Sequence, residues 1–290
     1  MATGDVERVL AFARRAEDLG FDGVFAFDHL FPPGAAPHRP SLEAYATLAA
    51  IASTTSRVRI GTLVTRASLR SAGMLARQAA TLDDVSDGRF VLGIGTGDTL
   101  GRAEHEVFGL PYLAPTTRRD HLAETIRAVR ALLLGEPWLG GVHVPPIDGP
   151  LLPGPRTTGG PAIWVGGASA GAVQVAAHQA DGWNGWGLAA STVADRAVLL
   201  ASEAGGRAVE PTWGGAVVVA EDATGAERMV ADRRARGLDQ AWAGSADSAA
   251  AWLLELRDAG ATWAILLAAG SADRVELIAR HVLPAFREAA

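Results

Sequence analysis

The sequence predicts an α/β protein in which a parallel sheet is covered by helices, most simply a (β/α)8 barrel. Three observations predict it. Short β-rich runs alternate with longer amphipathic helices along the whole chain, the pattern of repeated strand–helix units. The strand runs are nearly all apolar, as expected when both faces are buried. The length, 290 residues, fits one barrel of about 250 residues without a second domain. Residues 1–290 are therefore expected to form a single domain.

The elements follow in order. Val6, Val9, Leu10, Ala13 and Ala16 recur at helical spacing, and Gly20 is placed to end that helix. A strand over 23–28 leads to a helix over 41–54 and a strand over 58–65. The next helix covers 73–85, and Asp87-Gly88 is the turn into a strand over 90–95. After a helix over 118–134 comes a Gly/Pro-rich stretch, 135–161, too polar and broken for a regular element and expected to be an irregular insertion. Then come a strand over 162–165, a helix over 170–179, and strands over 182–186 and 216–220. A helix over 248–259, a strand over 263–268 and a final helix to Glu288 close the chain. This makes seven strands. The eighth would have to precede Val6, where only five residues stand. The expectation is a start further upstream, or a gap covered by other residues or a partner chain; a doubly wound sheet is the structural alternative.

Composition narrows the function. Hydrophobic residues make up 49% and charged residues 20%, enough for a sizeable core. A net charge of −6 without a basic cluster argues against nucleic acid as the main partner. No apolar run reaches the ~18–20 residues of a membrane span, and the N-terminus lacks a signal-peptide pattern. A soluble, non-exported, cytoplasmic protein without membrane contact is expected. There is no cysteine, so thiol nucleophiles, disulfides and cysteine-ligated metals are impossible. All 26 basic residues are arginine, which removes Schiff-base chemistry and the lysine of common phosphate loops. No H-x-x-x-H spacing occurs, and no metal is expected.

Three motifs carry chemistry. Phe27-Asp28-His29 lies at the carboxyl end of a strand, the active-site face of a barrel, and histidine exchanges protons near neutral pH. Its bland alternative is a histidine bonded within its own loop. Gly93-Ile94-Gly95-Thr96-Gly97-Asp98 also follows a strand. It is not the dinucleotide fingerprint, because the third glycine position holds Asp98 or, counted from Gly95, Leu100. Asp98 is a candidate for proton transfer or ring contact, against a helix-capping aspartate. Gly166-Gly167-Ala168-Ser169-Ala170-Gly171 joins a strand to a helix and suits a phosphate. The same stretch matches the G-x-S-x-G elbow of serine hydrolases, with Ser169, then Asp222 or Asp239, then His281 in the required order. His281, however, lies inside an amphipathic helix, where a triad histidine does not belong. Of the tryptophans at 183, 186, 213, 242, 252 and 263, only Trp186, at a strand end, is placed near a site. His121, beside Arg118 and Arg119, reads as part of a solvated face.

The ordered set of segments resembles the luciferase-like monooxygenase superfamily, and within it the branch that uses the deazaflavin coenzyme F420. The matching text is Ala16-Glu17-Asp18-Leu19-Gly20-Phe21-Asp22, Asp28-His29, Arg59-Ile60-Gly61-Thr62-Leu63-Val64-Thr65 and Ala80-Thr81-Leu82-Asp83. It continues with the stretch from Ser86 to Asp98, Ala180-Asp181-Gly182-Trp183 and Gly260-Ala261.

The resemblance implies a TIM-type barrel with cofactor at the carboxyl ends of the strands. It places His29 beside the deazaflavin ring and Asp98, with Gly95, Thr96 and Gly97, near the reacting carbon. Asp98 is shorter than the glutamate often found there. Leu63, Val64 and Thr65 map to a bulge with a non-proline cis peptide that supports one ring face. Asp28 and Trp186 line the cofactor site, and Gly166, Gly167, Ala168 and Ser169 form its phosphate loop. The sugar-phosphate dehydrogenases of this branch carry a tryptophan where Pro32-Pro33 stands here, and they use lysines this chain lacks, so their substrate is rejected.

The expected activity is hydride transfer between F420 and a small organic substrate. The alternative is an FMN-dependent monooxygenase served by a separate reductase. Rivals of another class are a serine hydrolase at Ser169 and a flavin-binding protein without turnover. A homodimer is expected. Specificity should lie in the loops 30–40, 99–117 and 135–161.

Overall fold

The computed structural model describes residues 4–32, 40–270 and 273–288. The chain packs as two compact units. The first holds Asp22–Gly166, the helix before it and His178–Asp181; the second holds Gly167–Ala177 and the chain from Gly182 on, with Leu19–Phe21.

In the first unit, helices and parallel strands alternate: α1 (Val6–Asp18), β1 (Gly23–Ala26), α2 (Ala44–Thr54), β2 (Arg59–Thr62), β3 (Thr65–Arg66), α3 (Ala72–Val85), β4 (Phe90–Gly95), α4 (Arg102–Val107), α5 (Pro115–Leu133) and β5 (Ala162–Gly166). Their order is β1-β2-β4-β5, with β3 also on β4, and every pairing is parallel. All six residues of β4 are buried, which explains its unbroken apolar text. The stretch expected as one strand, 58–65, is two, interrupted at the cis Leu63–Val64 peptide. The Asp87-Gly88 turn forms as expected, with φ of 58° and 76°. Among the described residues, the first element is α1.

Buried carboxylates pin the loops of this unit. Glu17 accepts from the backbone N–H groups of Ser56 (3.0 Å), Arg57 (2.7 Å) and Val58 (3.0 Å), just before β2. Glu124 does the same for Val142 (3.0 Å), His143 (2.7 Å) and Val144 (2.9 Å), anchoring the irregular segment 135–161. Asp83, fully buried, accepts from the Thr157 N–H at 2.6 Å. Arg89 closes the exposed carbonyls at the end of α2, donating to Ala52 (3.0 Å) and Thr55 (3.0 Å).

The second unit runs through α6 (Ala170–Gln179), β6 (Gly182–Trp186), α7 (Ala190–Glu203), β7 (Glu210–Ala220), α8 (Ala223–Ala235), β8 (Trp242–Ser245), α9 (Ala246–Asp258), β9 (Trp263–Ala268), α10 (Asp273–Leu277), a π-helical turn (Ile278–Val282) and α11 (Leu283–Glu288). The long β7 organises it: β6 pairs with its first half, β9 with Thr212–Val217 and β8 with Val217–Ala220, all parallel. Trp213, Val217 and Val219 of β7 pack on Leu253, Leu256, Ile278 and Val282.

Four elements were not expected from the sequence. α4 is short, and α8 buries only Ala226, so neither carries a clear apolar stripe. α7 buries only Val193 and Leu200. β8 reads Trp-Ala-Gly-Ser, without branched residues, and Pro211, Gly214 and Gly215 hide the first half of β7. Among the described residues, no helix is long and apolar enough to cross a membrane.

Glu17 gives a test of the loop-pinning carboxylates. Burial pushes its pKa up, but the N–H groups of Val58, Arg57 and Ser56 and the Ser56 hydroxyl outweigh burial and hold it at about 2, against an ordinary 4.5. A depressed folded-state pKa stabilises above the unfolded value, and that contribution is lost as pH falls through the folded one. Glu17→Gln should therefore cost about 2 kcal/mol at pH 7 in urea denaturation. The gap to wild type should close as the pH is lowered from 4.5 toward 2. A gap of constant size over that range contradicts the assignment.

Candidate active site

His29 follows β1, and its position is set by two carboxylates. Asp28, 3% exposed, accepts from Thr65 Oγ1 at 2.9 Å and from both ends of the Arg70 guanidinium. Thr65 in turn accepts from the Tyr45 hydroxyl at 2.8 Å, and the Arg70 guanidinium lies over the Tyr45 ring at 4.5 Å. Burial, then the Asp28 charge, pushes the Tyr45 phenol well above its ordinary range, so it stays a neutral donor. The Asp28–Thr65 bond thus ties the residue before His29 to the residue after Val64.

The second carboxylate is Glu104 on α4, whose side chain is 1% exposed. Its Oε1 lies 2.7 Å from His29 Nδ1. Its Oε2 accepts from the Leu30 N–H at 2.6 Å and from Arg66 Nη2 at 2.6 Å. Burial pushes the Glu104 pKa up, but the His29, Leu30 and Arg66 donors reverse this and hold it below the usual carboxylate range. Glu104 is therefore ionised at neutral pH. The His29 side chain remains 25% exposed and borders a mostly apolar hollow of about 80 Å³, lined also by Phe12, Phe25, Phe27 and Leu42.

Asp98, which the resemblance places near the reacting carbon, caps a turn. It is exposed, and its Oδ1 accepts from the N–H groups of Leu100 (3.0 Å) and Gly101 (3.2 Å), capping the turn into α4. Thr96 bonds locally to the Gly97 carbonyl at 3.0 Å. The glycines around Asp98 serve Arg66: a Cβ at Gly97 would come within 2.6 Å of Arg66 Cδ, and one at Gly101 would overlap the guanidinium.

The earlier glycines serve Val64. A Cβ at Gly95 would stand 2.9 Å from Val64 Cγ2, and one at Gly166 would stand 2.8 Å from Val64 Cγ1. A Cβ at Gly93 would overlap the Thr62 carbonyl oxygen. Leu63, buried, donates its N–H to Ala26 at 2.9 Å, which fixes the bulge against β1. Val64 therefore projects over a floor of three glycines.

In the second unit, the loop into α6 is held from below. Trp183 Nε1 donates to the Gly167 carbonyl at 2.7 Å, and the Gly167 N–H donates to Asn184 at 3.1 Å. Gly167 has φ of 151°, and a Cβ there would press on Ala172 at 2.8 Å. Ala168, Ser169 and Ala170 are exposed at the start of α6, whose first N–H groups have no partner inside the helix. Arg196 donates to the Ala168 carbonyl at 3.1 Å. Ser169 Oγ caps α6 through the Ala172 N–H at 3.2 Å, and Asp222 caps α8 through the Gly225 N–H at 2.6 Å. His281 lies in the π-helical turn. Ser169 and Asp222 thus serve as helix caps, and His281 sits within a helical segment. Trp186, 40% exposed, ends β6, while Trp183 and Trp213 are fully buried and Trp242 stacks on Trp252.

The model of the luciferase-like monooxygenase family matches residues 1–283. The chain belongs to that family. Among curated relatives, an F420-dependent glucose-6-phosphate dehydrogenase of Beutenbergia cavernae is 38% identical over 130 residues, 44% of this chain and 37% of that protein. A 5,10-methylenetetrahydromethanopterin reductase of Methanolobus tindarius is 31% identical over 131 residues, 45% of this chain and 36% of that protein. The aligned parts thus span little more than a third of these relatives. A solved F420-dependent secondary alcohol dehydrogenase, in complex with an F420-acetone adduct, superposes with a TM-score of 0.84 at 20% identity, covering 97% of this chain and 95% of that one. A monooxygenase from Streptomyces bottropensis gives 0.77 at 24% identity, covering 96% and 93%. These superpositions show the fold, the TIM-barrel-like α/β fold of luciferase-like enzymes.

Sequence reasoning missed Glu104, Arg66 and Arg70. Glu104 sits on a helix that periodicity does not show, and its contacts come from residues 74 and 75 positions away. A second, more open hollow of about 520 Å³ is lined by Arg70, Ser68, Ser71, His121 and His143. Burial, then His143, holds the His121 pKa below its ordinary value, and the side chain is half-buried where a solvated face was expected. Among the described residues, no group of three or more metal-ligating side chains is assembled.

The glycine floor predicts a stability effect. Gly93→Ala should cost about 3 kcal/mol, because the added methyl meets backbone that cannot turn aside. Thermal unfolding measures it, and an unchanged midpoint would show that β2 and β4 yield easily.

Proposed function

We propose that this protein is an F420-dependent oxidoreductase acting on a small organic substrate. The observation that carries the proposal is the placing of a part-exposed imidazole, His29, and a projecting Val64 on two neighbouring strand ends tied by the Asp28–Thr65 bond. F420-dependent relatives in sequence and in fold support the same cofactor. The residues present fit it. Val64 offers an apolar contact for one face of a flat ring, and His29 offers a polar atom to the ring or the substrate. Leu63 and Thr65 fix Val64 from either side, while Gly95, Thr96 and Gly97 shape the turn after β4.

When bound, the deazaflavin supplies the carbon that gives or takes hydride; the protein supplies orientation, a proton site and exclusion of water. His29 accepts or donates a hydrogen bond at Nε2. Asp28 holds the His29 backbone, with its own carboxylate already taken by Thr65 and Arg70. Asp98 shapes the turn through Oδ1 and, being exposed beside the end of β4, stays a second candidate for the proton. Separately, the loop of Gly166, Gly167, Ala168 and Ser169 presents small residues and helix N–H groups that suit a phosphate.

An FMN-dependent monooxygenase is the second reading, favoured by the fold likeness to the Streptomyces monooxygenase. Anaerobic titration separates the two. Quenching of F420 fluorescence by the protein, with weak FMN binding, is the expected result. Tight FMN binding, indifference to F420 and oxygen consumption with reduced FMN would overturn the proposal. With a substrate found by screening, His29→Ala should lower kcat roughly 100-fold while F420 still binds. Near-normal turnover in that variant would remove His29 from the mechanism.

A further inference from the structure

We infer that Glu104 is the positioning residue for His29: it fixes the imidazole with its proton on Nδ1, so that Nε2 meets the ligand as an acceptor. The functional half of this inference rests on the oxidoreductase reading; the tautomer does not.

Four buried carboxylates of the first unit accept backbone N–H groups of loops. Glu17 and Glu124 take three backbone N–H groups each, and Asp83 takes the N–H and hydroxyl of Thr157. Glu104 alone of the four gives one of its oxygens to an imidazole. Its two oxygens have different work. Oε2 faces two obligatory donors, the Leu30 N–H and the Arg66 guanidinium, each at 2.6 Å. Oε1 faces His29 Nδ1 at 2.7 Å. An ionised carboxylate only accepts, so Nδ1 of a neutral His29 must carry the hydrogen. Nε2 is then left with a lone pair. The other ring nitrogen's partner is what decides which nitrogen is available for chemistry.

The same geometry predicts the effect of an amide. In Glu104→Gln, the carbonyl oxygen must occupy the Oε2 position, because both donors there need an acceptor. The NH2 group then faces His29 Nδ1 and requires a lone pair on it. The hydrogen moves to Nε2, and the tautomer is inverted in a side chain of nearly the same shape.

The test is nitrogen NMR of protein carrying ¹⁵N-labelled histidine, recorded without cofactor at alkaline pH. His29 is assigned by the signal lost in His29→Gln. Wild type should show the Nδ1–H tautomer, and Glu104→Gln the Nε2–H tautomer. In turnover, Glu104→Gln should lose 10-fold or more in kcat with F420 affinity changed less than about twofold, because the acceptor at Nε2 has become a donor. An Nε2–H tautomer in wild type, or an unchanged Nδ1–H tautomer in folded Glu104→Gln, overturns the assignment. If Glu104→Gln does not fold, the wild-type spectrum decides. Failure of F420 to bind would overturn the proposed cofactor while leaving the tautomer result standing, so the two failures are distinguishable.

Discussion

A carboxylate with a 1% exposed side chain survives only where donors replace its water, and Glu104 has three. Much of the region around His29 follows from that requirement. Arg66 reaches Oε2 past Gly97 and Gly101, which must leave room for it. Leu30 must turn its N–H inward, which sets the chain direction after β1. Of the two side-chain donors, Arg66 is buried and His29 also reaches the surface. The ionised state of Glu104 is thus maintained by the same contacts that orient the imidazole.

The neighbouring constraint is steric. Gly93, Gly95 and Gly166 stand on adjacent strands, β4 and β5, and their missing side chains are the space that Val64 and the Thr62 carbonyl fill. A glycine-rich strand end invites a phosphate-loop reading, but here it serves packing first. The Asp28–Thr65 bond joins the two constraints, because each partner is the chain neighbour of a residue on the candidate site. Arg70 and Tyr45 seal that bond from water on one side.

Much of the architecture was legible because burial on both faces writes itself as apolar runs. β4 and β5 could be read almost to the residue, and the Asp87-Gly88 turn from its dipeptide. β8 and the first half of β7 were not legible, since glycine, proline and small residues there hold strand geometry through pairing to neighbours and not through propensity. At the site, His29 was visible from its place after a strand. Glu104 was not, because a short helix with no apolar period carries it and its partners are distant in sequence. Asp98, the acid the sequence points to, gives its Oδ1 to the turn into α4.

The central claim is that a deazaflavin ring rests on Val64 beside His29. The most direct measurement is a crystal structure of the protein soaked with F420 under anaerobic conditions. The account predicts the ring in contact with Val64, about 3.5–4 Å away, with His29 Nε2 turned toward the ring or substrate space. A ring seated elsewhere, such as the hollow between His121 and His143, or a His29 with no contact to ring or substrate space, would contradict it.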